Sequence, residues 1–194
     1  SLFTETAKEV GDGQQYDLDF EKRDNVAEEE YMEMIRLKTS VLLATSLKLG
    51  AILAGASEED QNNLYKYGET IGLAFQLQDD LLDVYADEKL FGKKIGGDIC
   101  CNKKTFLLIT AMNLATPAQL AEIKAWMEKE NYDAQEKIAW FTALYNELGV
   151  REVCEMRIRE LFAKCDAYIN AISVAEDKKS ALKDFANTIL NRNL

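Results

Sequence analysis

Residues 67–83 read Tyr67-Gly68-Glu69-Thr70-Ile71-Gly72-Leu73-Ala74-Phe75-Gln76-Leu77-Gln78-Asp79-Asp80-Leu81-Leu82-Asp83. The run has no proline and its apolar residues recur at helical spacing, so it reads as a helix. At about 100° per residue, Gln76, Asp79, Asp80 and Asp83 project from one arc about 100° wide. Ile71, Leu73, Phe75, Leu77, Leu81 and Leu82 surround that arc, which predicts a buried helix. Like charges at three-and-four spacing repel, so three carboxylates on one side of such a helix require cations. Carboxylate oxygens without histidine or cysteine suit Mg2+, which keeps waters and shares its shell with substrate phosphates. Gly68 and Gly72 lie one turn apart on the stripe of Gln76, and the missing side chains predict open ground above the carboxylates. The competing reading is close helix packing at the small residues plus an N-terminal acidic cluster. It puts the acids at the wrong end of the helix for dipole pairing.

Outward from this run the chain keeps the same character. Its one proline is Pro117, and alternating runs of strand type are almost absent, so the fold class is all-α. Helices are expected at about 1–10, 14–23, 28–54, 58–85, 103–115, 117–129, 134–147, 150–173 and 175–191. Ser57 followed by Glu58 and Glu59 reads as an N-cap with an acidic first turn, and Thr116-Pro117 as an N-cap before a first-turn proline. Residues 87–101, with Gly92, Gly96, Gly97 and three lysines, form the most evident non-helical stretch. Without repeats or linkers, residues 1–194 read as a single domain.

Composition narrows the function. The 194 residues carry 23 Lys+Arg against 34 Asp+Glu, a net charge of −11 that repels phosphate backbones and argues against nucleic-acid binding. There is no histidine, which removes Ser-His-Asp and Cys-His nucleophiles, histidine-ligated zinc and imidazole bases together. The cysteines, Cys100, Cys101, Cys154 and Cys165, form no CxxC pair, and this usage suits a reducing, cytoplasmic setting. The longest apolar stretch, 41–56, is interrupted by Lys48 and is too short for a bilayer, so no integral membrane contact is expected.

Cations complement the acid face. In the helix from Glu28 the apolar stripe runs Tyr31, Met34, Ile35, Val41, Leu42 and Thr45, and Lys38 falls within it. Snorkelling accounts for a lone lysine there. Beside a metal–phosphate site, however, an inward ammonium next to the Thr39 hydroxyl makes a diphosphate clamp. On that reading Lys38→Met fills an apolar stripe, so stability should hold or rise. Lys93, Lys94, Lys103 and Lys104 follow the acid face by roughly ten and twenty residues, and each could equally be a solvated loop charge. Gln14 and Asp17 are a weaker pair, explained as well by surface contacts. Carboxylates for metal with cations for diphosphate suit the ionisation of an allylic diphosphate.

At these residues the chain resembles the trans-type isoprenyl diphosphate synthases, the farnesyl/geranylgeranyl diphosphate synthase type of the polyprenyl synthetase family. Residues 75–83 are similar to its second aspartate-rich motif. Phe91-Gly92-Lys93, Gly97-Asp98 and Asn102-Lys103-Lys104-Thr105 resemble its diphosphate-binding loop. Lys38-Thr39 resembles its Lys-Thr pair, and Gly13-Gln14 with Asp17 its Gly-Gln-x-x-Asp element. The resemblance implies an isoprenoid-synthase-type helical bundle that condenses isopentenyl diphosphate with an allylic diphosphate, using Mg2+, usually as a homodimer. It implies that Asp79, Asp80 and Asp83 reach Mg2+, with Asp79 the main ligand. Lys38, Lys93 and Lys103 would hold the allylic diphosphate, and Thr39 with Gln76 would steady the carbocation and elimination steps. The first aspartate-rich motif, its Arg-Arg pair and the cradle for isopentenyl diphosphate do not occur in the chain. The resemblance puts them, with the N-terminal helices, before Ser1, and the chain taken alone is expected to be inactive.

Two other functions compete. An all-α Mg2+-dependent nucleotide pyrophosphohydrolase would use paired acids such as Glu30 and Glu33, but would leave Lys38-Thr39 and the loop lysines idle. A non-catalytic subunit of a prenyl synthase would keep the fold without needing the complete acid set.

Overall fold

The structure, a computed structural model, describes residues 1–86 and 95–190. Among the described residues there are helices and no strands. α1 runs Leu2–Phe20, and α2 (Glu28–Ile35), a π-helical turn (Arg36–Ser40) and α3 (Val41–Leu53) follow as one continuous rod. α4 spans Glu58–Tyr85. After it come α5 (Gly97–Cys100), α6 (Phe106–Leu114), α7 (Pro117–Glu128) and α8 (Ala134–Glu147). α9 (Val150–Ala171) and α10 (Glu176–Leu190) complete the order.

Local chemistry sets the helix starts. Ser57 accepts a hydrogen bond from the Asp60 amide, and Thr116 forms a capping box with Gln119 ahead of Pro117. Both caps stand where the sequence places them. α4 is the central rod, lying along α3 on one side and α9 on the other. Ala74, Leu77, Leu81 and Val84 join Phe106, Leu107, Cys154 and Ile158 in the main core, while Tyr67 and Ile71 join Cys165 and Ile169 in a second cluster.

Four expectations are corrected. The two N-terminal helices are one, because Gly11 and Gly13 continue α1 rather than break it. The helix expected from 103 starts at Phe106, since Thr105 caps it, and a short helix, α5, forms at 97–100 where a loop was read. Leu42, assigned to the buried stripe, is 54% exposed. The π turn inserts one residue into the helical period, which buries Leu37 and Ser40 and turns Leu42 outward. Cys154 and Cys165 are buried free thiols. No helix among the described residues is long and apolar enough to cross a membrane.

Candidate functional site

The π turn is where the site begins. It is gripped by glycines from both sides. A Cβ on Gly13 of α1 would lie 2.3 Å from the Lys38 amide nitrogen, and one on Gly72 of α4 would lie 2.6 Å from the Ser40 Cα. A Cβ on Gly68 would similarly meet Leu47 and Ala44 of α3 at 2.8 and 2.9 Å. Gly68 and Gly72 therefore serve close helix packing and do not leave open ground above the carboxylates, which corrects that reading. Held between α1 and α4, the turn sends Lys38 and Thr39 to opposite neighbours. Lys38 Nζ donates to Asp17 Oδ2 at 2.6 Å, and Thr39 Oγ1 donates to Gln76 Oε1 at 3.1 Å.

The Lys38–Asp17 pair reverses one expectation. The side chains are 30% and 18% exposed, so removing the ammonium strands a largely covered carboxylate. Lys38→Met is expected to lower the unfolding free energy by about 1 kcal/mol, the partial exposure limiting the loss. Urea unfolding measures it, and Asp17→Asn in the same chain should recover most of it. Stability equal to or above that of the parent protein would return Lys38 to the snorkelling role.

On α4 the three aspartates meet different surroundings. Asp79 is half-buried, with no hydrogen bond or ion pair among the described residues. Asp80 is 8% exposed, and its Oδ2 accepts from Tyr31 Oη at 2.6 Å and from the Phe106 amide at 2.9 Å. Burial pushes its carboxyl up to about 7, against the two hydrogen bonds, with Asp98 adding to the rise. Asp83 Oδ2 accepts from the Asp98 amide at 3.0 Å. Its carboxyl is also raised, first by burial and then by the charge of Asp98.

The lysines after the acid face divide. Lys103 Nζ stands 3.4 Å from Asp98. Burial would lower its pKa, but Asp98, Asp80 and Asp17 together hold it above the ordinary value, so these acids share one field with Lys103. Lys104 is buried and turns to the Asn102 carbonyl at 3.3 Å. Asn102, at φ +53°, is pinned by Lys137 Nζ on its Oδ1 at 2.6 Å and by its own amide on the Met127 carbonyl at 2.9 Å. Lys93 and Lys94 lie outside the described residues.

Asp17 pairs with Lys38, and its charge is one of three that raise Lys103. Gln14 is exposed. Three residues that order this site were not singled out from the sequence for that role. Tyr31 read as one apolar position in a stripe, Asp98 as part of a loop, and Lys137 carried no signal at all. Glu30 and Glu33 are held by Arg23 and Arg36 in ion pairs of 2.7 Å each on the outer side of α2, so they form no open acid pair.

The donor set fits a hard cation, because every candidate ligand is a carboxylate oxygen and Asp79 has no competing partner among the described residues. Yet no group of three His, Cys, Asp or Glu side chains among the described residues is arranged to hold a metal. Donors from outside these side chains must complete any shell.

A family model described as polyprenyl synthetase matches residues 1–144. The chain belongs to the polyprenyl synthetase family. It is 46% identical over 110 residues to the geranylgeranyl diphosphate synthase of Methanosarcina mazei, a match covering 57% of this chain and 34% of that protein. With the short chain isoprenyl diphosphate synthase of Methanothermobacter thermautotrophicus it shares 43% over 116 residues, covering 60% and 36%. The fold superposes on the crystal structure of a geranylgeranyl pyrophosphate synthase with TM-score 0.92 at 39% identity, over 100% of this chain and 60% of that one. A geranylgeranyl pyrophosphate synthase from Corynebacterium glutamicum, complexed with isoprenyl diphosphate and magnesium, gives TM-score 0.89 at 32% identity, over 99% and 54%. The match spans about a third of the length of the curated relatives.

Proposed function

We propose that the whole protein is a Mg2+-dependent prenyltransferase that condenses isopentenyl diphosphate with an allylic diphosphate. The observation that carries this reading is an acid face whose Asp79 has no partner among the described residues, with Lys103 3.4 Å from Asp98 beside it and Lys38 paired with Asp17 at 2.6 Å. Support comes also from the relatives, which are named as geranylgeranyl or short chain isoprenyl diphosphate synthases.

Bound Mg2+ would neutralise charge developing on the departing diphosphate. In this reading Asp79 is the main ligand on this chain and the half-buried Asp83 a second. Lys38 and Lys103, with Lys93, hold the diphosphate oxygens as point charges. The Thr39 hydroxyl donates a hydrogen bond to Gln76 Oε1, which leaves its oxygen lone pairs available to a carbocation. Pairing of two copies, as in the family, belongs to the same proposal, and light scattering reads it.

The deciding experiment supplies radiolabelled isopentenyl diphosphate with dimethylallyl or geranyl diphosphate and Mg2+ to the whole protein. Prenyl diphosphate product is expected, and its absence would overturn the reading. A second measurement tests the metal. Because the carboxylates alone form no cage, Mg2+ should bind weakly by itself and tightly once inorganic pyrophosphate supplies oxygens. Calorimetry with equal, tight Mg2+ binding in both conditions would refute the shared shell.

A further inference from the structure

Asp79 and Asp80 are neighbours with opposite surroundings. The side chain of Asp80 sits among Tyr31 and Phe106, themselves 2% and 1% exposed, whose rings lie 6.3 Å apart. The cavity beside it, lined also by Val84, Leu108 and Phe141, measures about 10 Å³. That is room for about one water, whereas Mg2+ demands an octahedral shell and usually keeps several waters. At Oδ2 three helices meet: Tyr31 belongs to α2, Asp80 to α4, and Phe106 opens α6.

Phe106 is the residue through which this matters. Its amide is one of the N-terminal donors that a helix leaves without an intrahelical partner, and a carboxylate there also complements the helix dipole. Lys103 and Thr105 come just before it. On the other side of Lys103, the Asp98 amide is held by Asp83. The segment 98–106 is therefore tied to the acid face at two points, with Lys103 between them.

Resting on the prenyltransferase reading, we propose that Asp80 is a clamp rather than a metal ligand, and that Tyr31 is a positioning residue. Acting through Asp80, Tyr31 fixes how far Lys103 stands from Asp79. An amide oxygen can accept the same two hydrogen bonds, so the charge of Asp80 matters less than its acceptor. At Asp79 the charge itself is needed.

The test compares Asp79→Asn, Asp80→Asn and Tyr31→Phe in the whole protein. Asp79→Asn should lower kcat/KM by at least about a hundredfold, and Asp80→Asn by no more than about tenfold. Tyr31→Phe should raise KM for the allylic diphosphate by about tenfold with a smaller change in kcat. In metal-free protein it should also speed amide hydrogen exchange at Phe106 and its neighbours. Asp80→Asn as damaging as Asp79→Asn would overturn the clamp, as would unchanged exchange and KM in Tyr31→Phe despite a lowered melting temperature. Should the parent protein make no prenyl product, the functional reading fails instead, and the exchange measurement still decides whether Tyr31 and Asp80 hold the segment.

Discussion

In the whole protein, Asp79→Ala is expected to lower kcat/KM by at least about a hundredfold, the order found when one preorganised electrostatic group is removed. The size follows from position. Asp79 is the member of the acid face with no partner among the described residues, whereas Asp80 and Asp83 each accept bonds from the backbone that follows α4. Removing an unpartnered, half-buried carboxylate should cost little stability, since no hydrogen bond is broken and one repulsion is relieved. Activity and stability should separate. Steady-state kinetics beside thermal unfolding reads both, and a variant with full activity, or one that loses activity only by unfolding, would remove Asp79 from the proposed metal-holding role.

How legible this was depended on where the controlling interaction lies. Ser57 and Thr116-Pro117 mark their helix starts because a cap is decided within three or four residues, and the structure forms both caps as read. The buried character of α4 was equally local. What the sequence could not separate was Asp79 from Asp80, which share a helix face and a residue type. They differ because Tyr31, 49 positions earlier, reaches one and not the other. The π turn left no signature either. Its extra residue is bought by packing against Gly13 and Gly72, and a pattern of period 3.6 reads straight through it, so Leu42 was placed inside. Glycine carried a related ambiguity. Missing side chains at Gly68 and Gly72 announce that something comes close, but not whether a ligand or the backbone of α3 and the π turn does so.

The two glycines of α1 test that lesson with opposite signs. Gly11 and Gly13 stand two residues apart in the same helix, where a glycine costs about 0.5–1 kcal/mol relative to alanine. A Cβ on Gly11 would meet nothing within 4 Å, so Gly11→Ala should recover roughly that amount. A Cβ on Gly13 would stand 2.3 Å from the Lys38 nitrogen, and 2.8 Å from both the Leu37 carbonyl carbon and the Leu37 Cβ. Two of those three atoms are backbone of the π turn, which Gly72 blocks from retreating toward α4. α1 must therefore move away, and overpacking of this kind typically costs about 1–3 kcal/mol, occasionally more. After the propensity gain is subtracted, Gly13→Ala should still destabilise by about 1 kcal/mol. Because α1 also carries Asp17, the same shift lengthens the 2.6 Å bond to Lys38, and kcat/KM of the whole protein should fall with it. Urea unfolding of the two variants side by side is decisive. If Gly13→Ala proves as stable as Gly11→Ala, the close approach of α1 to the π turn is wrong.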